Sequence, residues 1–299
     1  MKQQIKRSLI LLLTATIWGV AFVAQSVGME YIGPFTFNAI RCVLGGLVLI
    51  PVILVLKKKK ETGAENQEKE DKKTLWAGGI ACGVILCIAS NLQQFGIMEA
   101  SVGKSGFFTA LYIVMIPVIG IFIGKRPGIK LWFCVALAVV GMYLLCMKDG
   151  SFTIERADIM LLLCALAFSF HILVVDYFSP KVDGVKMSCI QFFVCGVLSA
   201  VGMLFTETPD ISNIQAAWLP LLYAGLLSCG VGYTLQIVGQ KGINPVIASL
   251  IMSLESVISA LAGWVILGQV LSPKEILGCV LMFVAIIITQ IPIGNKKTD

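Results

Sequence analysis

Two stretches decide how this chain is read: WAGGIACGVILCIASNLQQ at residues 76–94 and WLPLLYAGLLSCGVGYTLQ at residues 218–236. Both are uncharged runs of apolar and small residues, long enough to cross a bilayer as a helix of about 20 residues. Laid over one another at an offset of 142, Trp76 meets Trp218, Gly83 meets Gly225, Cys87 meets Cys229 and Gln94 meets Gln236. An offset of 150 places Leu11-Leu12-Leu13 on Leu161-Leu162-Leu163, Ala15 on Ala165 and Trp18 on Phe168. An offset of 144 pairs Gly124 with Gly268 and Lys130 with Lys274. Three ordered blocks at nearly constant offset read as an internal duplication.

The other apolar runs fall into the same frame. Spans are expected near 8–28, 34–56, 74–96, 104–123 and 129–147, then 157–178, 187–205, 217–239, 245–267 and 274–292. The expected fold is an all-α membrane protein of ten transmembrane helices, built as two inverted five-helix repeats, 8–147 and 157–292. Each half has an odd number of spans, so the second must insert upside-down. Inverted repeats of this kind are typical of secondary transporters, with the substrate near the midplane between the halves. The one long connection, 57–73, has twelve charged residues among its seventeen and reads as an aqueous loop.

Composition agrees. Of 299 residues, 58% are hydrophobic and 13% charged, with a mean hydropathy of +0.91; a soluble domain carries about 25% charged residues. A net charge of +6 on so apolar a chain belongs to helix ends and not to a nucleic-acid surface. The ten cysteines sit in apolar runs without a CxxC pair, and there is one histidine. They read as buried free thiols, not as a zinc site or disulfide framework. No cofactor is expected. The start resembles a signal peptide, but its apolar run to Val27 exceeds an h-region of about 7–15 residues. It reads as the first span.

Lysine and arginine set the orientation. With the N-terminus in the cytoplasm, the inside segments hold eighteen basic residues, and the outside ends hold only Lys104, Lys148, Arg156 and Lys274. Both termini are expected to be cytoplasmic, in the inner or plasma membrane.

The run Gly103-Lys104-Ser105-Gly106-Phe107-Phe108-Thr109-Ala110-Leu111-Tyr112, then Ile116-Pro117 and Gly124-Lys125-Arg126-Pro127, resembles the fourth span of the first EamA domain of the drug/metabolite transporter superfamily. Leu254-Glu255-Ser256 and Leu267-Gly268-Gln269 carry the partner pattern in the second half. The resemblance covers about 8–147 and 157–291. It implies a ten-helix bundle around a central cavity that moves metabolites, commonly amino acids and usually outward, by alternating access. The family often has Glu-Pro where this chain has Glu255-Ser256, and Gly-Glu where it has Gly268-Gln269.

Polar residues inside spans are the candidate site, because ionisable groups there are costly and face a cavity or a partner. Arg41 lies seven residues into its span, roughly 10 Å deep, with Asn38 one turn before it. It reads as an anchor for a substrate anion or as an arginine snorkelling along its helix. His171 reads as a carrier of a coupled proton or as a structural histidine. Asn91 and Gln94 match Tyr233 and Gln236 across the duplication, as a pathway lining or as interhelical glue. Trp18, on one face with Thr14 and Gln25, stacks on substrate or on neighbouring helices; Tyr112 borders the fourth span. Glu255, roughly 15 Å from either interface, either holds a substrate amine, carries a proton, or bonds a neighbouring helix.

Gly103-Lys104-Ser105 is not a phosphate-binding loop, since Met98 stands where the first glycine would be and no strand precedes it. Small-residue pairs Gly79/Gly83, Gly120/Gly124 and Ser249/Ser253 read as packing seams, and leave monomer and dimer both open. The function expected is a secondary exporter of small polar or amphipathic metabolites, its partners a small-molecule substrate, the lipid bilayer and a coupled proton. The alternatives are an integral-membrane enzyme, for which no HExxH, GxSxG or paired histidines are present, and a non-transporting scaffold.

Overall fold

A computed structural model describes residues 2–62, 71–100, 102–125, 127–146, 155–267 and 272–291. Every regular element among them is helical. The first half contains α1 (Lys2–Gly28), α2 (Pro34–Thr62), α3 (Lys72–Glu99), α4 (Val102–Ala110), α5 (Tyr112–Phe122) and α6 (Ile129–Cys146). The second contains α7 (Arg156–Phe178), α8 (Gly184–Thr206), the short α9 (Ile211–Ala216), α10 (Trp218–Leu222), a π-helical stretch (Tyr223–Tyr233), α11 (Thr234–Gln240), α12 (Pro245–Met252), α13 (Glu255–Leu267) and α14 (Pro273–Gln290). Among the described residues, eight helical segments are long and apolar enough to cross a membrane, and Ile129–Leu144 is a shorter apolar helix. The middle of the 57–73 connection, Gly268-Gln269 and the side chain of Lys104 lie outside the described residues.

Polarity runs inside out. Leu9, Ile88, Phe133, Phe170 and Val197 are exposed, and Gln25, Arg41, Gln94, His171, Gln236 and Glu255 are buried. A bilayer makes this distribution stable: apolar side chains outside meet lipid, and polar groups are satisfied within the bundle.

Close helix approach depends on glycine, since lipid offers no hydrophobic drive for helix association. A β-carbon on Gly83 would lie 2.6 Å from the Val194 β-carbon and 2.8 Å from the Gln191 carbonyl, so α3 and α8 touch there backbone to backbone. Gly79 likewise meets Ile190, and the pair forms the expected seam. Gly120/Gly124 does not: Gly124 adopts φ +80° in a turn with nothing within 4 Å, and Gly120 meets only Lys125 at 3.7 Å. Ser249 and Ser253 are both fully buried, and their hydroxyls donate within their own helix, to the Val246 and Leu250 carbonyls.

α2 and α8 run antiparallel, with Phe35 against Gly202, Val43 against Gly196 and Gly46 against Phe193. α3 lies between α7 and α8, α6 packs on α14, and α1 packs on the π stretch, α11 and α13. Two segments expected as continuous are broken. Leu111 interrupts α4/α5, and Ser253-Leu254 interrupts α12/α13. The second break occurs although Ser256, not proline, follows Glu255.

Candidate functional site

Both breaks border one narrow cavity of about 30 Å³. α1 contributes Trp18, Phe22 and Gln25, spaced at helical intervals of four and three so that they share a face. α2 contributes Arg41, α3 Gln93, and the α4/α5 pair Thr109 and Tyr112. From the second half come Phe168 and Ile172 of α7, Ser228 and Tyr233 of the π stretch, Gln236 of α11 and Glu255.

Arg41 is 2% exposed and turns into the bundle, not along its helix to an interface. Its Nη1 donates to Gln25 Oε1 at 2.8 Å and its guanidinium carbon stands 5.6 Å from the Phe37 ring centroid. Its buried Nε has no protein acceptor. Glu255 opens α13, and its Oε1 accepts from the Tyr112 hydroxyl, the first residue of α5, at 3.1 Å. The two ionisable groups thus face one cavity, each bonded to a neutral partner. Gln236 Oε1 is buried there without a donor.

Aromatic rings form the remaining wall. Trp18 and Tyr233 have ring centroids 4.6 Å apart, and Trp18 Nε1 donates to the Ser228 carbonyl at 3.4 Å. That carbonyl lies in the π stretch, where the helical ladder is re-spaced; such insertions recur at functional sites.

Seven of the residues singled out from the sequence therefore meet here: Trp18, Gln25, Arg41, Tyr112, Tyr233, Gln236 and Glu255. Four lie outside the lining. Asn38 Nδ2 donates to Asn91 Oδ1 at 2.9 Å, and Asn91 Nδ2 to Ser199 Oγ at 3.0 Å, joining α2, α3 and α8. Gln94 turns to Met29 Sδ at 3.5 Å, while its neighbour Gln93 reaches Thr109 Oγ1 at 3.5 Å. His171, fully buried behind the wall, shares a hydrogen bond with Gln191 Oε1 at 3.1 Å and stands edge-on to Tyr233. Phe22, Gln93, Thr109, Phe168, Ile172 and Ser228 were not anticipated. The i, i+4 pairs Trp18/Phe22 and Phe168/Ile172 and the i, i+3 pair Thr109/Tyr112 carry a signal, but apolar pairs at those spacings occur on every helix here.

Among the described residues, no three or more His, Cys, Asp or Glu side chains converge as metal ligands.

The EamA-like transporter family model matches residues 6–147 and 155–291. An uncharacterized transporter of Archaeoglobus fulgidus is 27% identical over 94% of this chain and 84% of its own length. The uncharacterized transporter YwfM of Bacillus subtilis is 24% identical over 97% of this chain and 96% of its own. One solved crystal structure of a protein superposes with a TM-score of 0.77 at 17% identity, covering 95% of this chain and 96% of that one. At that identity the likeness is one of fold.

Proposed function

The chain belongs to the EamA-like transporter family and is a membrane transporter, and from that premise we propose that it exports small zwitterionic or amphipathic metabolites, such as amino acids, by alternating access. The observation that carries this reading is the cavity's pair of ionisable side chains, the Arg41 guanidinium and the Glu255 carboxyl, bonded to Gln25 and Tyr112 instead of to each other. A zwitterion offers a carboxylate to the guanidinium fork and an ammonium to the carboxylate. Trp18, Phe22, Phe168 and Tyr233 enclose the apolar part of the substrate. Asn38, Asn91, Gln94 and His171 then act as the frame around the site, and Glu255 is the residue placed to exchange a coupled proton.

The path through the membrane follows from a ten-pass bundle of two inverted halves. Three features support it. Contacts between halves occur in swapped pairs: α1 with α13 mirrors α4 with α7, and α3 with α7 mirrors α1 with the π stretch and α11. The breaks at Leu111 and Ser253 are 142 residues apart, the offset of the duplicated third span. Lysine and arginine crowd the ends that share the N-terminal face.

Counterflow in proteoliposomes tests the function. Exchange of a labelled amino acid by the wild-type protein, abolished by Arg41→Ala, is expected; no exchange with any amino acid in a full panel overturns the substrate class. Tags at Lys60 and at the C-terminus should label from the cytoplasm and one at Asp210 from outside, and labelling of 60 and 210 from one side removes the inverted model.

A further inference from the structure

The N-terminus of α2 is capped by the other half of the chain. α2 opens at Pro34 after Gly33, which has no side chain to accept from the first-turn amides, and those amides lack partners within the helix. Glu207, just past the end of α8, takes that role. Its Oε1 accepts from the Phe35 amide at 2.9 Å; its Oε2 accepts from the Thr36 amide at 2.9 Å and the Thr36 hydroxyl at 2.6 Å. A β-carbon on Gly33 would lie 2.4 Å from the Glu207 carboxyl carbon, so a side chain at 33 and the glutamate compete for one space.

The duplication shows this arrangement to be one-sided. At the offset of 150, Gly33 corresponds to Asp183. Asp183 caps α8 from its own chain end, its Oδ1 accepting from the Val185 amide at 3.0 Å and the Lys186 amide at 3.2 Å. The same helix start is therefore closed by a neighbouring residue in one half and by a distant one in the other. A local cap travels with its helix; a cap delivered from the opposite half is broken whenever those two helix ends part. At the other face Lys125, after α5, pairs with Asp176 of α7 at 2.9 Å, again joining the halves. That pair is half exposed on the lysine side, where ion pairs contribute little.

We propose that Glu207 is the outer-face clasp of the transport cycle, holding the α8 end on the α2 start while the cavity is closed to the outside and releasing it when the cavity opens there. This rests on the alternating-access reading above. Gly33 keeps the seat open for Glu207, and Gly202 admits the Phe35 ring beside it, a β-carbon there falling 2.6 Å from the ring.

The test measures distance between nitroxides placed by a bio-orthogonal amino acid at Tyr31 and Phe205, both exposed, in the full chain in lipid nanodiscs. Wild type should show a dominant short distance. Glu207→Ala should add a longer one, shifting their ratio roughly tenfold, the scale of a lost helix cap, and should lower thermal stability. Gly33→Asp added to Glu207→Ala supplies a local cap as Asp183 does. The double variant should regain stability and keep the long distance. Identical distances in wild type and Glu207→Ala overturn the proposal. So does a double variant that regains both stability and the short distance, because Glu207 would then be a cap and nothing more. These distances need no substrate, so they judge the clasp even where counterflow defeats the proposed function.

Discussion

Replacing Glu255 by glutamine separates the charge at the centre of the cavity from everything else that residue does. The amide has nearly the same shape, and its oxygen can still accept the Tyr112 hydroxyl now at 3.1 Å. Packing around the α12/α13 break should survive, since Glu255 is 4% exposed and the substitution adds no volume. What disappears is the only carboxyl group among the described cavity residues, and with it the capacity to ionise opposite Arg41. A hydrogen bond to a charged group contributes about 1.5–3 kcal/mol. If the lost bond is to a substrate ammonium, kcat/KM should fall roughly 10- to 150-fold. Initial rates of labelled-substrate efflux from proteoliposomes, normalised to folded protein by thermal unfolding, measure this directly. Wild-type efflux kinetics in the glutamine variant would refute the assignment. A variant that no longer folds would refute it too, by showing that the carboxylate serves the structure and not a ligand.

Arg41→Lys keeps a charge but loses the planar fork that grips a carboxylate with two bonds; a roughly tenfold or greater rise in KM for efflux is expected, with unfolding temperature unchanged. Gly83→Ala forces a β-carbon to within 2.8 Å of the Gln191 carbonyl, and should cost about 1–3 kcal/mol by overpacking, read as a lower unfolding temperature in detergent. Cys42 and Cys195 have sulfurs 3.4 Å apart across the α2/α8 contact. With the other cysteines replaced, a dithiol oxidant should join them, so that cleavage in the 57–73 loop leaves one band on a non-reducing gel; two bands would contradict the antiparallel α2/α8 packing.

The amino-acid sequence alone determined the membrane class, the family and the approximate limits of the helices. The class and the helix limits depend on hydropathy summed over some 20 residues, a local quantity that reports lipid against water; the family rests on motif residues such as Gly103–Tyr112 and Leu254-Glu255-Ser256. The depth of Glu255 was legible for the same reason, since it stands mid-run with no charge beside it; for Arg41 the sequence left an inward anchor and a snorkelling side chain both open, and the fold buries it. Which polar side chains share a cavity was not legible. That depends on the rotation of each helix about its axis, and a helix apolar on every face has no amphipathic stripe to reveal it. Gln93 and Gln94 are adjacent and chemically identical, yet one reaches Thr109 and the cavity while the other turns to Met29, because their side chains leave α3 about 100° apart. Asn38 and Asn91 match the pattern of a lining but bond each other, and His171 finds Gln191, since a polar group in a bilayer takes the nearest partner that packing supplies. Glu207, past the end of its helix and 171 residues from Thr36, acquires its role only when α8 meets α2; the empty place at Gly33 that it fills is itself a tertiary fact.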